Sequence, residues 1–212
     1  MGKKSASAID IRAPEAFFNR ELNWLQFAWR VLHLAEEPDV PLLERVKFAR
    51  IAGMLHDEFF MKRISGLKRQ MHSKKQSTKL SLDGRTPVEE FEACREMLIE
   101  QAESLAEIVR GHLRPALLEA GLGIRDWADL AVPTQERLRA QFRKSVLPIL
   151  TPLAVDSEHP FPFISTGGLN LAVVMPGDDP SDERFVRIKV PGNRPRFVDI
   201  PDGGYCPLEQ VI

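Results

Sequence analysis

Between Glu58 and Asp83 the sequence has no acidic residue, while Lys62, Arg63, Lys68, Arg69, Lys74, Lys75 and Lys79 supply cationic groups. Such a strip can raise the local concentration of a polyanion and guide it. The competing reading is a solvated helix end followed by a loop, which is what most charge runs are. Nucleic acid would satisfy the charge as well as any other polyanion. The neighbouring aromatics, however, fall at core spacing and leave no stacking platform. Net charge over the whole chain is −1, so any electrostatic attraction must be local.

Five histidines invite a test for phosphoryl transfer: His33, His56, His72, His112 and His159. That chemistry needs a neutral ring nitrogen aimed at phosphorus and cationic groups around the transferred phosphoryl. His159 lies among prolines and reads as holding a loop, and His112 falls on an apolar helix face and reads as packed or snorkelling. His56-Asp57-Glu58 suggests a metal, yet consecutive helical residues point about 100° apart and cannot converge on one ion. Asp57 and Glu58 read instead as ion-pair partners of Lys62 or Arg63 at helical spacing. Gly167-Gly168 is too short for a phosphate loop, lacks a following lysine and leads into a strand. No catalytic residue and no metal ligand is expected in the chain, and the chain alone is expected to be inactive.

The elements that must position these groups change character along the chain. Leu22, Leu25, Trp29, Leu32 and Ala35 recur at helical spacing up to Pro38. A second helix opens near Pro41 and carries Leu42, Val46, Phe48, Ile51, Leu55 and Phe59 to about Gln70, with a break expected near Gly66. Thr86-Pro87-Val88-Glu89 has the hydroxyl, proline and glutamate of a capped helix start. The helix behind it keeps its period to Gly121, and Pro115 should interrupt it. Apolar stripes on three helices imply a bundle. A shorter helix spans about Thr134 to Val146. Pro152, Pro160 and Pro162 exclude regular helix from the next segment, Thr151 to Pro162. Strands follow at Leu169–Met175, Phe185–Val190 and Arg196–Ile200, the last two predicted to form a hairpin through Pro191-Gly192-Asn193. Leu208 to Ile212 reads as the opening of a further helix, cut off mid-element. The fold class is therefore α+β: an N-terminal helical bundle followed by a truncated mixed α/β domain with antiparallel strands.

Composition agrees with a globular chain, 43% hydrophobic and 28% charged. Cys94 and Cys206 stand far apart and form no CxxC unit, which points to a reducing, cytoplasmic setting. No apolar run approaches the roughly 18 residues of a membrane span. Met1 to Ala8 lacks the apolar core of a secretory signal and reads as a disordered lead-in, taken to extend to residue 14.

Three blocks resemble the polyphosphate kinase family. The first is Phe18 to Phe27 (FNRELNWLQF) with Arg30-Val31-Leu32. The second runs Pro41 to Phe48 (PLLERVKF), Asp57 to Met61 (DEFFM) and Gly66-Leu67-Lys68. The third is Leu150 to Asp156 (LTPLAVD), His159 to Ser165 (HPFPFIS) and Leu169 to Val174 (LNLAVV). Ser81-x-Asp83-Gly84-x-Thr86-Pro87 matches more weakly between the second and third. The resemblance covers Phe17 to Ile212. It implies an N-terminal helical domain over 15–121 and part of the middle, or head, domain over 122–212.

What the resemblance implies further is a reaction: reversible transfer of the ATP γ-phosphate to polyphosphate, with magnesium, through a phosphohistidine. The nucleophile and the phosphate-holding arginines belong to C-terminal domains that this sequence does not include. The chain itself carries no cofactor; ATP and magnesium are implied for the whole enzyme. Its expected partners are those catalytic domains and a second copy in a homo-oligomer. Family members border the adenine end of ATP with a phenylalanine, matched by Phe48, and an asparagine, whose position here is Leu55. Leucine has no amide for a purine edge, so that contact does not carry over. Ala28, Trp29 and Thr166-Gly167-Gly168 also depart from the pattern, and an exposed Trp29 would mark a partner surface. These departures motivate the alternative of a free-standing, catalytically inactive polyphosphate-binding or assembly protein.

Overall fold

The computed structural model describes residues 10–155, 159–176, 184–201 and 203–212. Residues 1–9 of the expected lead-in and Asp156 of the third block lie outside them. The chain forms two compact units, Met1–Leu113 and Arg114–Ile212.

In the first unit α1 spans Arg20–His33, α2 Leu42–Phe59, α3 Ser65–His72 and α4 Pro87–Glu107. Asn19 caps α1: its side-chain oxygen accepts from the Glu21 and Leu22 amides at 2.9 and 3.0 Å. At α4 the expected capping box is complete. The Thr86 hydroxyl accepts from the Glu89 amide, and the Glu89 carboxylate accepts from the Thr86 amide. The apolar stripes bury two clusters. One joins Leu25, Phe59, Ile64, Leu67, Cys94 and Leu98, with Trp24 stacked on Phe59 at 5.1 Å between ring centroids. The other joins Leu32, Ala35, Ala49, Ala52, Ile108 and Leu113.

Interruptions in this unit take one form. A π-turn at Phe60–Ile64 separates α2 from α3, one turn earlier than the break expected at Gly66. Another, Ile108–Leu113, follows α4 and precedes α5, Arg114–Glu119. Pro115 accounts for the second. It has no N–H to donate, and its ring would strike the carbonyl four residues back, so the ladder shifts register ahead of it.

In the second unit α6 spans Val132–Gln141, with a π-turn at Phe142–Val146. β1 (Leu153–Val155), β2 (Asn170–Met175) and β3 (Arg184–Lys189) form an antiparallel sheet in the order β1-β3-β2. β4 (Phe197–Asp199) pairs with β5 (Tyr205–Pro207), and α7 (Leu208–Val211) follows. The predicted hairpin between β3 and β4 is therefore corrected. β3 already spends both edges on β1 and β2, so β4 must find its partner elsewhere. Its turn back to β5 uses Gly203 and Gly204 at φ +86° and +94°. Gly204 also lies so close to the Gly123 carbonyl that a Cβ would collide with it. That approach lets the Tyr205 amide donate to Gly123 O and its carbonyl accept from Arg125, each at 2.8 Å.

Candidate functional site

The π-turn and α3 carry Lys62, Arg63, Lys68 and Arg69, and the loop that follows carries Lys74, Lys75 and Lys79. All seven side chains are exposed. The structure divides them. Lys62, Arg63 and Lys79 line one cleft of about 500 Å³, whereas Lys68, Arg69, Lys74 and Lys75 do not. Lys62 is paired with Glu58 one turn back at 2.5 Å, as the sequence spacing suggested. That contact and the positive charge of Lys62 hold the Glu58 carboxyl below the usual range. Lys68 Nζ stands 5.9 Å over the Phe91 ring.

The floor of the cleft is not cationic. Glu21 is buried and lies between Arg20, at 2.5 Å, and Arg63, at 3.5 Å. Asn19, besides capping α1, donates to Asp83 Oδ1 at 2.9 Å and to Glu90 Oε1 at 2.8 Å. Asp83 also accepts from the Ser81 hydroxyl at 2.6 Å and pairs with Arg85 at 2.5 Å. Burial alone would push the Asp83 carboxyl up; the hydrogen bonds from Ser81, Asn19, its own backbone and Arg85 outweigh that and hold it low. One asparagine thus ties the start of α1, the 81–86 loop and the first turn of α4 together. Asn19 is absent from the sequence-derived candidates. The signal that finds it is local: an asparagine directly ahead of an apolar stripe is a helix N-cap.

Phe48 and Leu55 are seven residues apart on α2, so they share a face about 10 Å apart. Both are half-buried, and Phe48 packs against the second cluster. Neither lines the cleft. Trp29 is likewise half-buried against that cluster and stacks on His33 at 5.7 Å, so it is not the exposed partner mark that its type suggested.

The histidines are spread over separate settings. His56 Nε2 lies 2.8 Å from the Oε1 of Gln101, a fully buried amide whose Nε2 donates to the Leu25 carbonyl. With the Gln101 nitrogen committed to Leu25, its oxygen must accept, so His56 Nε2 carries the proton. His33 faces Glu36 at 3.3 Å, and His72 Nδ1 lies 2.7 Å from the Lys68 carbonyl. His112 is exposed on the π-turn, not packed, because the register shift before Pro115 carries it off the apolar face. His159 is also exposed. Among the described residues no three His, Cys, Asp or Glu side chains could hold a metal, and no helix is long and apolar enough to cross a membrane. Both cysteines are free and buried, and burial, with Glu90 and Glu21 nearby, pushes the Cys94 thiol up to about 12.

Residues 17–125 match the polyphosphate kinase N-terminal domain and residues 134–212 the polyphosphate kinase middle domain. Polyphosphate kinase from a Synechocystis strain is 41% identical over 221 residues, covering 98% of this chain and 30% of the relative. Polyphosphate kinase from Mycolicibacterium gilvum is 41% identical over 216 residues, covering 98% and 29%. The crystal structure of polyphosphate kinase from Porphyromonas gingivalis superposes with a TM-score of 0.76 at 27% identity, over 92% of this chain and 29% of that one. The chain thus spans about 30% of the length of the relatives it matches. Sequence and fold agree on the assignment, so this chain belongs to the polyphosphate kinase family and corresponds to the N-terminal and middle domains of its members.

Proposed function

We propose that the chain is the section of a polyphosphate kinase that frames the nucleotide site and the dimer contacts, while other domains transfer phosphate. The reaction it serves is reversible passage of the ATP γ-phosphate to polyphosphate through a phosphohistidine, with magnesium, in the cytoplasm. One observation carries this reading: the match runs through both domain models yet covers about 30% of the relatives' length. The settings of His33 and His56, beside a glutamate and a glutamine amide, support it. A phosphoryl acceptor needs cations around it. Phe48 borders the adenine, Leu55 leaves the base edge without its amide partner, and the exposed strip from Lys62 to Lys79 gathers the phosphate polymer.

The test is incubation of the 212-residue chain with ATP labelled at the γ-phosphate, with magnesium and polyphosphate. No label should enter protein or polymer. A labelled histidine would overturn the reading.

A second reading, an inactive assembly protein of the same descent, is favoured by Leu43, Ile51 and Met54, which stay exposed on one side of α2. Sedimentation separates the two. Oligomers that are lost on Met54→Lys favour assembly through this face; a monomer, or oligomers that Met54→Lys leaves intact, favours the first.

A further inference from the structure

The second unit holds a cleft of about 280 Å³ whose lining includes Thr151, Leu153, Arg187, Lys189, Gly192 and Asn193. Unlike the cleft of the first unit, with its Glu21, Asp83 and Glu90, its described lining contains no acidic residue. Two cations therefore share it without a carboxylate between them. Their mutual repulsion costs some stability that nothing in the described lining offsets.

The backbone explains how they meet. Arg187 and Lys189 are two apart on β3, so both side chains leave the same face of the sheet. In the register Arg187 stands opposite Leu153 of β1, and Lys189 opposite Asn170 of β2. Asn170 then sets the arginine. Its Nδ2 donates to the Gly168 carbonyl at 2.9 Å, which fixes the amide's orientation, and its Oδ1 accepts from Arg187 Nε at 2.8 Å. With Nε occupied, the two terminal nitrogens form the fork that matches two oxygens of a phosphate. A guanidinium held by a neutral amide keeps its full charge for a ligand, whereas one held by a carboxylate does not. The Thr151 hydroxyl and the Asn193 amide add uncharged donors, and Gly192 leaves its side of the cleft open. The volume is several times the ~30 Å³ share of one water, enough for a tetrahedral oxyanion.

We infer that this cleft is a phosphate-binding site: Arg187, set by Asn170, and Lys189 together hold one phosphoryl group, from a condensed phosphate chain or from free phosphate. The site shares no residue with the strip of the first unit and does not depend on the nucleotide reading.

The experiment titrates the 212-residue chain with tripolyphosphate and, in parallel, with orthophosphate, reading the amide signals of Gly192 and Asn193 by NMR. Saturable shifts with either anion support the site; equal affinity for both assigns it to a single phosphate, and preference for tripolyphosphate to a chain. Lys189→Gln, an exposed change, should weaken binding about threefold and lower the slope of log affinity against log salt by about one. Arg187→Lys keeps the charge but removes the fork, and should weaken it about tenfold. Lys74→Gln with Lys75→Gln should leave these signals unchanged while reducing binding at the first unit, so failure of the two proposals can be told apart. Absence of shifts with both anions, or unchanged affinity in both Lys189→Gln and Arg187→Lys, overturns the inference.

Discussion

The two units solve the same problem, burying apolar surface around polar groups, by different means. In the first, long helices bring residues far apart in sequence into two clusters, and buried polar side chains such as Asn19, Glu21 and Gln101 meet partners on other segments. In the second, short elements enclose smaller clusters around Leu138, Cys206 and Leu208. Phe161, Phe163, Val174 and Met175 remain exposed there. Apolar exposure on that scale is characteristic of surfaces that meet other protein. A unit built from helices carries its stability in a few large side chains. A unit built from short strands depends more on backbone conformations at its turns.

That contrast can be broken at three points. Phe59 is fully buried and stacked on Trp24, so Phe59→Ala should cost about 3–5 kcal/mol. Fluorescence can assign the loss, because Trp24 and Trp29 report the first unit and Trp127 the second. In denaturant the Trp127→Phe background should show the full shift in midpoint, and a chain keeping only Trp127 should show little. If both backgrounds shift equally, the units do not unfold separately and the comparison fails. Gly204→Ala should do the reverse at smaller amplitude, moving the Trp127 signal by about 2 kcal/mol, since alanine disfavours φ +94° and its Cβ meets Gly123. The smallest effect concerns acid. Asp83 is held below its unfolded value, so its contribution is complete at neutral pH and is lost as pH falls below about 4. Asp83→Asn should therefore flatten the acid limb of the first unit's stability curve and leave the second unit's curve in place. A Trp127 signal that responds equally would overturn that assignment.

What could be read from sequence follows the same division. The capping box at Thr86 and the apolar stripe from Leu22 to Ala35 depend on neighbours within a few residues, and both appear as expected. Strand pairing is set by partners that local pattern does not name. The three expected strands match β2, β3 and β4 almost to the residue, while β1 and β5 have no local signal, and β3 pairs with β1 and β2 rather than β4. At the candidate site the cations were visible, but the cleft's neutralised floor was not, because Asn19 reaches Asp83 and Glu90 across more than sixty residues of chain. Arg187 and Lys189 are hidden from local pattern for a similar reason. Alternating residues in a strand look like solvent-facing positions until the neighbouring strand and its asparagine are in place.

The π-turn at Phe60–Ile64 has a consequence for how this segment tolerates change. Phe59 and Leu67 are eight residues apart and both point into the same cluster. On an unbroken α-helix eight steps of about 100° would leave them some 80° out of phase, whereas seven would return nearly to the start. The widened turn absorbs one residue, so eight positions advance the face only as far as seven normally do. Loss of a single amino acid from the exposed part of this turn would relax it to ordinary helix and keep Leu67 aimed inward, while the same deletion in mid-α2 would swing every later side chain off its mark. Length variation among relatives should therefore collect at this spot.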